Sequence, residues 1–316
     1  MSFTTSSNTI TLLFNQQNNA TPPSTTGGYA NKFTINLPQN LVLRNAEVAL
    51  SNLFCYYSWF NVKVEYANNT FQYSIPGVGG PYTVTLPDGI YSFADVNGYL
   101  KTAMKTNGHY LVDTNGLEVY YLSLASNATY YKVTLTATPL PSALPLGWTN
   151  PAGVMVLSGA TVYCPQLIVP AATPAAGDAN LIGRSSFSKL IGFVPGSYPS
   201  TATTATTYYR NSDAVPLLTM TNNINVSCSL VNTSFINPLA GSFVYTFTPV
   251  NATSGSQLAQ VPSNLNFFPA VDINASQVSI QLLDDNFLPL QVLDPAITCT
   301  LIIRQQTLKR TNAFQS

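Results

Sequence analysis

Alternation of apolar and polar residues with a period of two runs along most of this chain. Ile10, Leu12 and Phe14 share one face of residues 9–14. Phe33, Ile35 and Leu37 share one face of residues 32–37, with Thr34 and Asn36 opposite. Tyr131, Val133, Leu135 and Ala137 alternate with Lys132, Thr134 and Thr136, and Ile224, Val226, Cys228 and Leu230 with Asn225, Ser227 and Ser229. Phe243, Tyr245 and Phe247 follow, then Val278, Ile280 and Leu282 against Ser279 and Gln281. Ile297, Cys299, Leu301 and Ile303 alternate with Thr298 and Thr300. Strict alternation of β-branched, aromatic and aliphatic residues with hydroxyls and amides predicts half-buried strands. Turn chemistry between the runs, as in Pro87-Asp88-Gly89 and Asp284-Asp285-Asn286, completes the pattern of an antiparallel sandwich with long loops.

Helical spacing predicts one helix, at about residues 92–107. Ser92 and Asp95 give it a capping-box start, Phe93, Val96, Leu100, Ala103 and Met104 form its apolar stripe, and Gly108 stops it. It reads as a crossover helix on the edge of the sandwich. Residues 139–216 differ, being rich in Pro, Ala and Gly, with short apolar runs at 154–157 and 163–169 that predict added strands. The expected organisation is all-β: a single jelly-roll β-sandwich over residues 1–304, with core strands in 1–138 and 217–304. Residues 139–216 would be long inter-strand loops or an inserted small β subdomain at one end, and residues 305–316 a polar, basic C-terminal tail.

Composition narrows the chemistry. Only 8% of the 316 residues are charged, twelve basic against twelve acidic, while 46% are hydrophobic and 18 are tyrosine. Phosphate contacts need clustered cations, so no strong nucleic-acid binding is expected. No stretch is long and apolar enough for a membrane span, and the first residues lack the features of a secretory signal. The sequons at Asn127, Asn232 and Asn251 are therefore read as unglycosylated. Cys55, Cys164, Cys228 and Cys299 show no C-x-x-C spacing and read as reduced core thiols.

Candidate catalytic groups are few. His109 is the single histidine and reads as a turn residue capping the helix C-terminus. Of the three glutamates, Glu47, Glu65 and Glu118, the first has Arg44 nearby as a local ion-pair partner. Asp284 and Asp285 read as turn residues, with a weak oxygen-ligand calcium site as the other reading. Gly77-Val78-Gly79-Gly80 lacks the Lys-Ser/Thr of a phosphate loop. No catalytic, cofactor-binding or metal-ligating residue is assigned, no cofactor is expected, and the chain is not expected to be an enzyme. The paired tyrosines Tyr56-Tyr57, Tyr120-Tyr121, Tyr130-Tyr131 and Tyr208-Tyr209, with Trp59 and Phe60, are the best candidates for function. In a strand one member of each pair would face outward as contact material; aromatic core is the competing reading.

Four stretches in order resemble the minor capsid (penton) proteins of virophages and Polinton-like DNA viruses. The first is Phe33-Thr34-Ile35-Asn36-Leu37, leading through Ala49-Leu50-Ser51-Asn52-Leu53 to Tyr57-Ser58-Trp59-Phe60-Asn61-Val62. The second is Leu86-Pro87-Asp88-Gly89-Ile90-Tyr91 before the helix, and the third Phe187-Ser188-Lys189-Leu190-Ile191-Gly192-Phe193. The fourth comprises residues 224–231, 243–249 and 278–285, with Leu288-Pro289-Leu290, closing on residues 297–304. The resemblance implies a structural virion protein: a single jelly-roll protomer forming a homopentamer at icosahedral vertices, assembled inside the host cell. Its partners would be further copies of itself, a double jelly-roll major capsid protein and other virion proteins. The alternatives are a major capsid or fibre-like surface protein, or a carbohydrate-binding β-sandwich. The outward positions Thr34, Asn36, Thr134, Ser227, Ser279 and Thr300 are neutral hydrogen-bonding residues, which cost little to desolvate under a neighbour. The Thr-rich residues 200–207 would be an outward decoration or a capsomer contact. Arg304, Lys309 and Arg310 place three cations at or beside the tail.

Overall fold

The alternating runs are strands in the computed structural model. It describes residues 3–15, 32–157, 163–171, 186–201, 206–218, 221–231, 234–236, 239–249, 252–253, 255–285, 287, 289–294 and 296–310. The chain divides into two compact units, one of Met1–Trp59 with Thr221–Ser316 and one of Phe60–Met220. In chain order the first unit opens with β1 (Phe3–Phe14), β2 (Lys32–Leu43) and β3 (Ala46–Tyr56). The second holds β4 (Thr70–Ile75), β5 (Gly79–Thr85), α1 (Phe93–Thr106), β6 (Leu111–Val112), β7 (Glu118–Val119), β8 (Leu122–Asn127), β9 (Lys132–Ala137), β10 (Gln166–Val169), α2 (Phe187–Ile191), β11 (Gly196–Tyr198) and β12 (Tyr208–Asn211). The first unit resumes with β13 (Ile224–Cys228), β14 (Ser234–Ile236), β15 (Leu239–Gly241), β16 (Phe243–Phe247), β17 (Gln257–Gln260), β18 (Phe268–Pro269), β19 (Ile273–Leu283) and β20 (Thr298–Arg310).

Eight strands of the first unit carry its topology: β1, β2, β3, β13, β16, β17, β19 and β20. The first pairs with the last, the second with the seventh, the third with the sixth and the fourth with the fifth, all antiparallel. Such nesting describes one long antiparallel ribbon. Rolling it up sets β20 beside β3 and β19 beside β13. The products are two open sheets, β1-β20-β3-β17 and β16-β13-β19-β2. This is a jelly roll.

Period two decides which residues fill it. Leu50, Leu53 and Cys55 of β3, Leu301 and Ile303 of β20, Val226 and Cys228 of β13, and Ile280 and Leu282 of β19 belong to one buried cluster between the sheets. In β3 the inward positions run Ala46, Val48, Leu50 and then Leu53, Cys55, a phase slip of one residue. The ladder absorbs it as a β-bulge: Leu301 faces Leu50 and Thr300 faces Asn52, leaving Ser51 unopposed. Without that extra residue the second half of β3 would turn its apolar side chains to solvent.

The second unit has its own core. Sheet β11-β10-β4-β5 and sheet β12-β9-β8 contribute Phe71, Tyr73, Leu167, Val133 and Leu135 to one cluster. Helix α1 adds Val96, Leu100 and Met104 to the same cluster and lies against β8, where Asn97 Oδ1 accepts from the Leu124 N–H at 2.9 Å. Its start is the expected capping box: Ser92 accepts from the Asp95 N–H, and the Asp95 carboxylate accepts from Ser92. The helix is therefore part of the inserted unit and not of the jelly roll.

Several expectations change in detail. The inserted unit begins at Phe60, not near 139, because residues 60–137 bury their apolar faces with 163–218. Residues 154–157 form no strand, although Met155 is buried. Tyr131 is not the first inward residue of β9; it sits in the β8–β9 turn at φ 51°. Residues 305–310, expected as a tail, continue β20 opposite β1. Residues 172–177, 202–205 and 311–316 lie outside the described residues.

Leu301 is fully buried in the middle of the jelly-roll core. Leu301→Ala is expected to cost about 2–5 kcal/mol, through lost transfer energy and the cavity left behind. Urea unfolding of the two proteins measures the difference.

Candidate interaction surfaces

The three glutamates are each held in an ion pair. Glu47 pairs with Arg304, which lies directly opposite it in the β3–β20 ladder at 2.6 Å, and not with Arg44. Arg44 instead lies 3.8 Å from Asp272. The Arg304 guanidinium also covers the Phe267 ring at 3.7 Å from its centroid, a cation–π contact. Glu65 holds Lys63 at 2.8 Å, and Glu118 holds Lys105. The three glutamates are thus spread over three separate ion pairs. Asp285 accepts from the Asn222 and Asn223 N–H groups at 2.7 and 2.8 Å, which accounts for it as a turn residue. Among the described residues no group of three His, Cys, Asp or Glu is placed to hold a metal ion.

His109 does not act as a side-chain cap. Its backbone N–H closes the helix end on the Met104 carbonyl at 2.8 Å, while its ring is 1% exposed between Tyr73 and Tyr82. Nδ1 lies 2.9 Å from the Tyr73 hydroxyl, which also accepts from Asn107 Nδ2 at 3.0 Å. Nε2 is buried with no hydrogen-bond partner among the described residues. Burial lowers the histidine pKa below its ordinary 6.5 and pushes the Tyr73 phenol up to about 12.

Three surfaces remain for contacts. The outer face of β16-β13-β19-β2 is built in rows, Thr34 opposite Ser279, Asn36 opposite Gln277, and Lys32 and Ser227 flanking Gln281. Gln277 Nε2 donates to Asn36 Oδ1 at 2.8 Å. Lys32 is the only charge in these rows. The outer face of the other sheet carries Leu13, Ile302, Phe54 and Tyr56 among threonines, with the paired Glu47 and Arg304 at one end. The third face belongs to β12-β9-β8. Ser123, Thr136 and Tyr209 form one row, Ala125, Thr134 and Asn211 the next, and Asn127 with Lys132 the last.

No protein-family model and no curated protein matches the sequence. Among solved structures, the chain is similar to the SeMet-labelled mavirus penton protein. That likeness has a TM-score of 0.45 and 10% identity, covering 97% of this chain and 100% of that one. The jelly-roll assignment stands on the strand nesting described above.

The tyrosine pairs divide between core and surface. Tyr57 and Trp59 are buried with ring centroids 4.3 Å apart, and Tyr56 is half-buried. Tyr121 is buried, whereas Tyr120 is half-buried and donates to Glu118 at 2.6 Å. Tyr209 is exposed and Tyr208 half-buried. Tyr130 and Tyr131 break the pattern, since both are exposed in a turn. A bulky residue at positive φ leaves no period-two signal, so the alternation that assigned Tyr131 to β9 missed this.

The four cysteines are buried and free. Burial pushes the thiols of Cys55 and Cys228 up to about 12 and that of Cys299 higher still. All four are expected to resist a thiol-specific disulfide reagent in the native protein and to react at once in denaturant; rapid native labelling of any of them would contradict the buried placement. His109 contributes to the loss of stability on the acid side. Its folded pKa lies below the unfolded value, so its contribution is fully present above about 6.5 and is lost as pH falls through that value, because the unfolded chain then binds the extra proton. Unfolding free energy is expected to decline from pH 7 to pH 5, and His109→Gln to flatten that decline.

Proposed function

We propose that this chain is a structural virion protein of the penton type, which acts by assembly and carries no catalytic site. The observation that supports it most is the complete eight-strand ribbon, in which the outer face of sheet β16-β13-β19-β2 carries hydroxyls and amides with Lys32 as the one charge in its rows. A fold alone does not give a function. The outer surface adds the second half of the reasoning. Covering a lysine or glutamate with a neighbour costs far more than covering Thr34, Asn36, Gln277 or Ser279, whose groups find new partners across a contact. The four ordered stretches that resemble penton proteins give the third support.

Among the described residues only the first unit has the nested pairing; the sheets of the second are made of the hairpins β4–β5 and β8–β9 with strands added at their sides. One jelly roll per chain favours a penton over a double jelly-roll major capsid protein. The protomers would meet through heterologous contacts that close into a ring of five, with the major capsid protein as the outer partner at the vertex.

Native mass measurement of the full chain, alone and with the major capsid protein, is expected to show a species of five times the 34.0 kDa protomer. Monomers alone under both conditions at high concentration would overturn the proposal. Ser279→Lys adds a second charge to a face whose rows carry only Lys32; it should leave the melting temperature of the protomer within a few degrees and shift the assembly toward monomer.

A further inference from the structure

The solvent face of β12-β9-β8 shares hydroxyls and amides with the β16-β13-β19-β2 face but adds exposed aromatic rings. Its underside is fixed: Leu122, Leu124, Val133, Leu135 and Ala137 are buried in the core of the second unit. On the open side, Thr134 Oγ1 donates to Asn211 Oδ1 at 2.6 Å. Asn127 Nδ2 donates to Thr134 Oγ1 at 3.2 Å and to Asn211 Oδ1 at 3.3 Å. These bonds orient the two amides. They also leave one acceptor, Asn127 Oδ1, and one donor group, Asn211 Nδ2, without partners among the described residues.

Aromatic rings stand at both ends of this polar strip. Tyr209 is 70% exposed in the first row, and beyond the last row the β8–β9 turn presents Tyr130 and Tyr131 at 64% and 77%. Tyr131 holds φ 51°, a conformation in which a bulky residue is a true outlier and which glycine adopts freely. The turn therefore keeps a ring in solvent in a strained backbone conformation that no buried contact offsets.

The charges are withdrawn. Lys132 Nζ donates to the Asp213 backbone carbonyl at 2.7 Å, Arg210 is paired with the Asp213 carboxylate, and the three rows contain no acid. Ala125 is their only aliphatic residue. Oriented amides and hydroxyls between exposed aromatic faces suit a ligand that has many hydroxyls, apolar C–H faces and no charge.

We infer that the β12-β9-β8 face, with the turn at 128–131, is a binding site for neutral carbohydrate. Asn127 Oδ1 and Asn211 Nδ2 take sugar hydroxyls, and Tyr209, Tyr130 and Tyr131 stack on the C–H faces of successive rings. The inference is independent of the capsid reading, since assembly and sugar binding are measured separately.

The test uses the full chain made in bacteria, where the sequon at Asn127 stays unmodified. It is passed over an array of galactose-, mannose-, N-acetylglucosamine- and fucose-terminated neutral oligosaccharides with sialylated counterparts, and Kd is then measured by calorimetry for the neutral glycan retained best. Retention of neutral glycans is expected, weakened about tenfold or more by Tyr209→Ala and by Tyr131→Gly. Tyr131→Gly should keep or raise the melting temperature, because glycine relieves the φ strain while removing the ring. Failure to hold any neutral glycan at millimolar concentration, retention of sialylated glycans alone, or affinity unchanged in both variants would overturn the site.

Discussion

Every layer of the first unit depends on the pairing of β1 with β20. These strands lie at opposite ends of the nested ribbon, and their register from Phe14 opposite Cys299 onward closes every pair inside it. Bringing such distant segments together has an entropic cost that grows only slowly with the intervening length. The return comes from burial. Once β20 is seated between β1 and β3, Cys299, Leu301 and Ile303 complete an apolar layer against β13 and β19. The composition of the outer faces follows from the same register, because a strand that commits one side inward commits the other outward.

Much of this was legible in the sequence because it is written in period two. The inner faces of β2, β13, β19 and β20 are the apolar sets read from alternation alone, and the capping box of α1 stands where Ser92 and Asp95 placed it. The division into units was less visible. Phe71, Tyr73 and Ile75 alternate as clearly as any jelly-roll strand, and alternation does not tell which core a strand serves. Local proximity misled in the same way at Glu47, whose partner is Arg304 across a ladder and not Arg44 nearby in sequence.

The candidate surfaces were legible in type but not in place. Neutral outward residues could be named at Thr34, Ser227 and Ser279, yet only the ladder shows that Asn36 meets Gln277 and that Asn127, Thr134 and Asn211 form one hydrogen-bonded cluster. The exposed rings were hidden for another reason. Paired tyrosines look alike in sequence whether a strand buries one of them or a turn exposes both. His109 belongs here too: its position after Gly108 suggested a cap, but the backbone performs that task and frees the ring for burial against Tyr73.

The insertion of Phe60–Met220 between β3 and β13 sets an order of events during synthesis. The inserted unit draws its core from residues contiguous in the chain, so it can complete itself while the ribbon is still only three strands long. It can do so before any of the five later ribbon strands, β13, β16, β17, β19 and β20, has been made. β1 has no such early partner. It is made before β20 and waits for it through the making of everything between them, so its uncharged, proline-free edge stays open to other chains for that time.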